Sequence, residues 1–354
     1  MRICILGDTH FGARGDSLDF HKYFEKFYRD ILFPYLKEHN IKTIFQMGDL
    51  FDRRKFINFN SLYLARKYFF DELVANDIVM YTLIGNHDVA FKNTLEVNSP
   101  SLIIGDYENI KVIQDFTTLG FDNTLIDVVP WICDANEEEI FKKMKSSKSD
   151  ICFGHFEIMG FEMDKGNVCE TGIDKKLLSR YDMVLSGHFH HKSTDGNITY
   201  VGTPYEMTWS DYADLKGFHI FNTEERSMSF VLNPYTMFHK VVYDDSETNF
   251  EHWKGYDYGK HTDSYVKVVV VNKQNPYLFD HVIDNLYKAS CADIAIVEDF
   301  TDVTIDDEIV DQAEDTMTIL SKYIDALELD VENDKLKKIM RELYVEALNT
   351  EVAD

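Results

Sequence analysis

Long apolar runs are absent from this 354-residue chain. None approaches the roughly 20 residues that a bilayer-spanning helix needs, so no membrane partner is expected. Paired cysteines are absent as well. Cys4, Cys133, Cys152, Cys169 and Cys291 form no CxxC, and Cys4 and Cys152 lie in apolar, strand-like runs. This excludes a disulfide framework and fits buried thiols in a reducing compartment. There is no internal repeat, and no low-complexity tract beyond one acidic run. The opening MRICILGD is too short for a signal peptide and runs straight into a candidate ligand motif; with the reduced thiols, a cytoplasmic location is expected. Basic residues are scarce: 36 Lys and Arg stand against 62 Asp and Glu, a net charge of −26. Taken alone, that balance argues against a nucleic-acid partner, because phosphate backbones are normally met by excess Lys and Arg.

The acidic surplus is uneven. Residues 291–354 hold 19 acidic and 5 basic residues, a net of −14, which leaves −12 for the preceding 290 residues. Bound divalent ions would further invert the local field at a carboxylate site. The bulk charge therefore weakens a nucleic-acid reading without excluding it.

Apolar content of 45% over this length suffices for a sizeable core and suggests two domains, or one with an appendage. Five short apolar runs, RICILGD, KTIFQMGD, DIVMYTLIGNHD, SDICFGH and YDMVLSGH, each end in Gly and a polar residue. Their lengths suit strands buried on both faces of an α/β or sandwich core. Residues 19–39 place Phe20, Phe24, Phe27, Ile31 and Tyr35 at helical spacing, with a break expected near Pro34. A second helix is expected over 60–75, capped by Asn60 or Ser61. NITYVGTPYE reads as a strand and turn, and residues 217–233 as a hairpin. Composition shifts near 240: a strand over 262–271, a helix over 279–290 and a strand over 291–299 form a βαβ set. Acidic residues 302–315 then read as a linker, followed by amphipathic helices marked by Met317, Leu320, Ile324 and Leu327, and by Leu336, Ile339, Met340, Leu343 and Ala347.

The strand ends carry the chemistry. Asp8 and His10 follow the first run, Asp49 the second, Asn86 and His87 the third, His155 the fourth, and His188 and His190 the fifth. If the runs are neighbouring strands, these side chains converge at one sheet edge. A mixture of carboxylate, amide oxygen and imidazole suits Mn, Fe or Zn better than Mg or Ca. One Asp shared between two ions would give a two-metal hydrolytic centre acting on a phosphoryl group.

GDTH, the GD at 48–49, GNHD, the GH at 154–155 and GHFH resemble, in order and approximate spacing, the five signature motifs of the calcineurin-like metallophosphoesterases. The resemblance implies a two-sheet sandwich flanked by helices. It implies one ion on Asp8, His10, Asp49 and His190, and a second on Asp49, Asn86, His155 and His188, with Asp49 bridging. It gives His87 the scissile phosphate. Asp88 either orients His87 or serves a surface turn. GDTHFG, GDLFDRRK, GNHDVAFKN, DVVPWICD, SGHFH, YVGTPYEMT and ELYVEAL extend the likeness to the SbcD-like DNA nucleases, and more narrowly to the nuclease subunits of T-even-type phage recombination endonucleases. That implies a core over residues 1–240, a capping domain over 241–300, the linker over 301–315 and an ATPase-binding helical region over 316–354. It implies two divalent ions, manganese with magnesium as the alternative, and 3′-to-5′ exonuclease action on duplex DNA with endonuclease action on single strands. An ABC-type coiled-coil ATPase regulates such enzymes, as a nuclease homodimer within a heterotetramer. A phage-encoded chain would work in the bacterial host cytoplasm. Asp52 departs from relatives that carry His after GDLF.

Cations beside the metal-bearing loops fit a phosphate track: Arg14, Arg53, Arg54, Lys55, Lys92, His191 and Lys192. The alternative is a solvated surface. Phe56 and Phe59 are expected in the core, with stacking on a DNA end as the alternative. Leu320, Ile324, Leu327, Leu336, Ile339 and Leu343 form stripes that either pack on their own domain or dock on the ATPase. The helical surface at 19–39 or 60–75 is the expected dimer face. Two other functions remain open: a phosphoprotein phosphatase or cyclic-nucleotide phosphodiesterase on the same centre, and a catalytically idle scaffold that loads an ATPase onto DNA.

Overall fold

A computed structural model describes residues 1–164 and 167–298. The acidic stretch and the amphipathic helices with Leu320, Ile324, Leu327, Leu336, Ile339 and Leu343 lie outside the described residues. Among the described residues no helix is long and apolar enough to cross a membrane.

Twelve strands build two six-stranded sheets. They are β1 (Arg2–Leu6), β2 (Thr43–Gln46), β3 (Val79–Leu83), β4 (Ile110–Ile113), β5 (Thr117–Phe121), β6 (Thr124–Val129), β7 (Ile151–His155), β8 (Met183–Gly187), β9 (Ser193–Asp195), β10 (Ile198–Tyr200), β11 (Gly217–Asn222) and β12 (Ser227–Leu232). The first sheet runs β12-β11-β1-β2-β3-β4 and the second β9-β10-β8-β7-β6-β5. In each, four strands are parallel: β1 to β4 in the first, and β6, β7, β8 and β10 in the second. Antiparallel partners complete the rest, so both sheets point their parallel C-terminal ends at loops rather than at hairpins.

Alternation along β1 divides the core. Ile3 and Ile5 enter one buried cluster with Phe45, Leu83, Ile126, Val128, Phe153 and Leu185, drawn from both sheets. That cluster is the sandwich interior. Cys4 and Leu6 face the other way, into a cluster with Phe20, Phe24, Phe27, Phe69 and Leu73. The second sheet is covered on its outer face by Ile140 and Met144 of the helix Glu137–Ser146, against Cys152 and Val184. Runs buried on both faces explain why these strands lack a clean polar alternation.

The helix expected over 19–39 forms as Leu18–Phe27, a π-helical turn Tyr28–Leu32, and Phe33–Glu38 with Pro34 in its first turn. The wide turn absorbs the missing proline donor, which places the break just before Pro34. The second helix starts at Phe59 and is capped by Asn58, whose side chain accepts from the Asn60 N–H, rather than by Asn60 or Ser61.

Strands β13 (Phe238–Asp244), β14 (Tyr265–Asn272) and β15 (Asp293–Val297) form a three-stranded sheet in that order, and the helix Pro276–Lys288 joins the last two. The chain divides into two compact units. One comprises Met1–His239, Tyr256–Val266 and Val282–Ile294; the other contains Lys240–Gly255, Lys267–His281 and, among the described residues, 295–298.

Candidate metal centre

The sequence-derived ligands do not share one sheet. Asp8, Asp49 and Asn86 follow β1, β2 and β3 of the first sheet, while His155 ends β7 and His188 follows β8 of the second. They meet because the C-terminal ends of both sheets share one edge of the sandwich. The expectation of a single sheet edge is thereby corrected to a seam between two.

Close approach across that seam explains the glycines. A Cβ on Gly85 would lie 2.1 Å from Asp49 Oδ1, and one on Gly48 would lie 2.3 Å from His155 Nδ1. Gly48 also has φ +101°, in the left-handed region. Buried Gln46 braces this turn, donating from Nε2 to the Gly48 carbonyl and accepting the Gly48 N–H on Oε1. Three of the site residues are themselves held at positive φ: His10 at 41°, Asp49 at 50° and His188 at 90°. Backbone strain of this kind costs about 1–3 kcal/mol each and persists only where the surroundings enforce it. The Asp49 carbonyl does part of that, accepting the N–H groups of Thr9 and His10.

Among the described residues three groups of side chains offer ligand atoms within 4.8 Å of one another, and two of them stand at this seam: Asp8, His10 and His190, and Asp49, His155 and His188. Asn86 joins the second, its Oδ1 lying 3.0 Å from His155 Nε2 and 2.9 Å from His188 Nδ1. In the first, His10 Nε2 and His190 Nε2 stand 3.3 Å apart. Asp49 Oδ2 lies between the groups, 3.4 Å from His155 Nε2 and 3.9 Å from His10 Nε2.

Orientation of the rings is fixed from outside. His155 donates its Nδ1–H to the Met47 carbonyl at 2.7 Å. In the neutral ring this leaves the Nε2 lone pair facing two oxygens, Asn86 Oδ1 and Asp49 Oδ2. Acceptors converging on one point fit a cation. The electrostatics agree. Burial pushes the Asp8 carboxyl up to about 7. Burial would also raise Asp49, but His155, His87 and His10 hold it well below the usual carboxylate range. Burial disfavours a charged His155, yet Asp49 and Asp8 carry it up to about 9. Burial and the neighbouring His10 push His190 down to about 3. The pocket is built around positive charge that must come either from protons or from a metal.

His87 is half-buried and donates its Nδ1–H to the Asp52 carbonyl at 2.7 Å, while its main-chain N–H donates to Asp49 Oδ1. Its ring stands edge-on to His10, with centroids 4.9 Å apart. Asp88 is fully buried and accepts main-chain N–H bonds from Gly85, Leu50 and Phe51. It therefore serves no surface turn. It shapes the turn that carries His87, and the contact that holds the His87 ring comes from Asp52.

Asp52 is the residue whose role the sequence left unread. Its carbonyl holds His87, and its Oδ1 lies 3.5 Å from His10 Nδ1, so one residue stands against two histidines. The signal was its position three residues after Asp49. Trp131, within the quoted DVVPWICD, packs its ring 5.3 Å from that of His188 and 6.0 Å from that of His155. Glu157 Oε2 lies 3.9 Å from His188 Nε2, two residues along from His155.

The candidate phosphate-binding cations are spread around this edge. Arg14, Lys55, Lys92 and Lys192 are exposed, and Arg53 and Arg54 half-exposed. Arg53 pairs with Asp16 at 3.4 Å and lies over the Phe56 ring. Lys192 lies over the Phe230 ring. His191 is drawn to Asp214 instead, at 2.8 Å. Phe56 and Phe59 are not in the core: they are 59% and 89% exposed, because the segment after Asp52 leaves the sheet edge before its helix begins.

Residues 1–192 match the family described as calcineurin-like phosphoesterase, and the chain belongs to that family. It is accordingly a metal-dependent phosphoester hydrolase. The chain is similar to a protein named "Exonuclease subunit 1" of Enterobacteria phage T4, with 32% identity over 362 residues, covering 98% of this chain and 99% of the relative. Among solved structures it is similar to an archaeal phosphodiesterase (TM-score 0.33, 13% identity, 66% of this chain and all of that one). It is also similar to a hypothetical protein from Thermus thermophilus (TM-score 0.35, 12% identity, 66% and 98%).

Proposed function

We propose that this chain is the nuclease subunit of a DNA recombination and repair complex, hydrolysing phosphodiester bonds with two divalent ions. The observation that carries the reading is Asp49 Oδ2, placed between two groups of ligand atoms. Asp8, His10, Asp49 and His190 would hold one ion, and Asp49, Asn86, His155 and His188 the other. The mixed nitrogen and oxygen donors favour manganese, with magnesium as the alternative. When bound, the ions would activate water and neutralise phosphate charge. The Asp52 carbonyl commits His87 Nδ1–H, so Nε2 is the ring atom that would meet the substrate. In its protonated form Nε2–H would donate to a phosphate oxygen and then protonate the leaving oxygen.

DNA as substrate is supported by the full-length likeness to a subunit named as an exonuclease, and by cations bordering the site. The finer reading is 3′-to-5′ exonuclease action on duplexes and endonuclease action on single strands, regulated by an ABC-type coiled-coil ATPase in the bacterial host cytoplasm. The domains would be a core over 1–240, a cap over 241–300, a linker over 301–315 and an ATPase-docking region over 316–354. A partner that supplies DNA-binding surface also accommodates the acidic balance. For the homodimer, the segment 60–75 is favoured over 19–39. Tyr63 and Leu102 are 64% and 74% exposed, and Arg66, one turn beyond Tyr63, donates to the Ile103 carbonyl.

The test is manganese-dependent digestion of end-labelled duplex DNA by the purified chain, with and without its ATPase. A generic phosphodiester and a phosphopeptide serve as rival substrates. Stepwise shortening, lost in Asp8→Ala and His87→Ala, is expected. No DNA cleavage alongside rapid phosphopeptide turnover would move the assignment to a phosphatase; a metal-loaded chain inert on all three would leave the scaffold.

A further inference from the structure

Beside the metal centre lies a second cluster with metal-ligand chemistry: His191, Asp211 and Asp214, whose ligand atoms lie within 4.8 Å of one another. It already contains its cation. Lys216 is 3% exposed and places Nζ 2.5 Å from Asp211 Oδ1 and 2.9 Å from Asp214 Oδ2. The third contact of the ammonium is the carbonyl oxygen of His190, at 2.9 Å. The ammonium thus has three oxygens around it: two from carboxylates as ion-pair partners and the His190 carbonyl as hydrogen-bond acceptor. The same His190 carbonyl also accepts the Thr203 N–H. Asp211 Oδ2 takes the N–H groups of Met207 and Thr208, and Asp214 Oδ2 takes His191 Nδ1.

We infer that Lys216 is a positioning residue for the metal ligand His190, a fixed internal cation that clamps the ligand's own main chain from behind. Deepening the two-metal proposal, this inference rests on it. His190 sits in a loop between β8 and β9, beyond the strand that would otherwise hold it. A ligand must be held to about 0.5 Å to keep its coordination geometry, and a loop does not supply that alone. Lys216 enters just before β11, which pairs with β1, the strand that leads to Asp8. One buried ion cluster thus ties the His190 loop to the sheet that carries the other ligands of the same group. Burial makes the clamp stiff: separating the buried ammonium from the buried Asp211 carboxylate would strand charge away from water.

The prediction concerns one of two ions. Manganese is titrated into the full-length chain, with occupancy followed calorimetrically and by electron paramagnetic resonance. The wild type is expected to take up two ions and show an exchange-coupled pair. Lys216→Met is expected to weaken one site by roughly 10- to 100-fold, the range for losing a group that orients a ligand, and to replace the coupled signal by that of isolated ions. Lys216→Arg, which keeps charge and donors, is expected to restore the coupled signal. Asp214→Asn, a gentler change at a partly exposed carboxylate, is expected to weaken the same site by less and decides the matter if Lys216→Met does not fold. Two sites of wild-type affinity in folded Lys216→Met, or in Asp214→Asn if only that variant folds, would overturn the inference while leaving the two-metal reading intact. A wild-type chain that binds fewer than two ions would overturn both.

Discussion

The main-chain N–H of His188 donates to both carboxylate oxygens of Asp8, at 2.9 and 3.2 Å. The two residues follow strands in different sheets, so the site is itself part of what joins the sheets at this end. Ligand geometry and sheet-to-sheet register cannot then vary independently. Gly187 shows how tight the seam is: a Cβ there would lie 2.4 Å from the Met47 carbonyl and 2.5 Å from Asp8 Oδ1.

Gly85→Ala tests the seam. The new methyl would meet Asp49 at Oδ1 and at its main-chain nitrogen, 2.1 and 2.3 Å away; the carboxylate end can shift, the main chain cannot without moving the turn. The substitution is expected to cost about 1–3 kcal/mol of stability and to displace the Asp49 carboxylate. Gly120→Ala is the control, because its Cβ would meet only Leu125 Cδ2 at 3.8 Å. Thermal melts and manganese titrations of the two should diverge, with only Gly85→Ala losing metal affinity. Equal behaviour would show that the close approach is relaxed in solution.

His87 is expected to separate binding from chemistry. It belongs to neither group of ligand atoms and is held from behind by Asp52. His87→Asn should leave manganese stoichiometry unchanged and lower kcat by roughly 10²–10³, the range for losing one acid or charge-stabilising donor. A loss of bound metal in this variant would instead make His87 a ligand.

Much of this centre was legible in the chain. The candidate ligands that the structure brings together stand at the ends of apolar runs that each finish in Gly and a polar donor, because strand ends at a shared edge allow both close approach and convergence. Three things were not legible. The division of the strands between two sheets depends on pairing between segments far apart in sequence, such as β1 with β11, which periodicity does not encode. Asp88 was open to a surface-turn reading and Asp52 stood out only as a departure from His, since their roles rest on main-chain bonds to loops 35 to 38 residues away. Phe56 and Phe59 looked like core, because composition says nothing about which aromatic residues a loop carries outward.

The cations beside the site carry a salt-dependence prediction. If Arg53 and Arg54 each meet one phosphate, replacing both by Gln should reduce the slope of log affinity for DNA against log salt by about 2 for a duplex. Both guanidinium groups are half-exposed, so folding should be little affected. Binding measured between low and moderate salt decides it. An unchanged slope would return both residues to an ordinary solvated surface.

Glu206, which is not among the candidate ligands, carries a pH prediction. Its carboxyl is buried, with Oε2 accepting the N–H groups of Met237 and Phe238 while Oε1 has no hydrogen-bond partner among the described residues. Burial raises it from 4.5 to about 7. Between those values the folded chain holds a proton that the unfolded chain has released. Stability from this group is therefore present below pH 4.5 and declines as pH rises towards 7, by on the order of 3 kcal/mol when complete. Glu206→Gln keeps an acceptor for the two N–H groups and removes the titration. In chelator, so that metal loading does not contribute, the variant should melt close to the wild type at about pH 4.5 and above it at about pH 8. A variant that is less stable at the higher pH would mean that the ionised carboxylate, through its two N–H bonds, is the form the fold prefers.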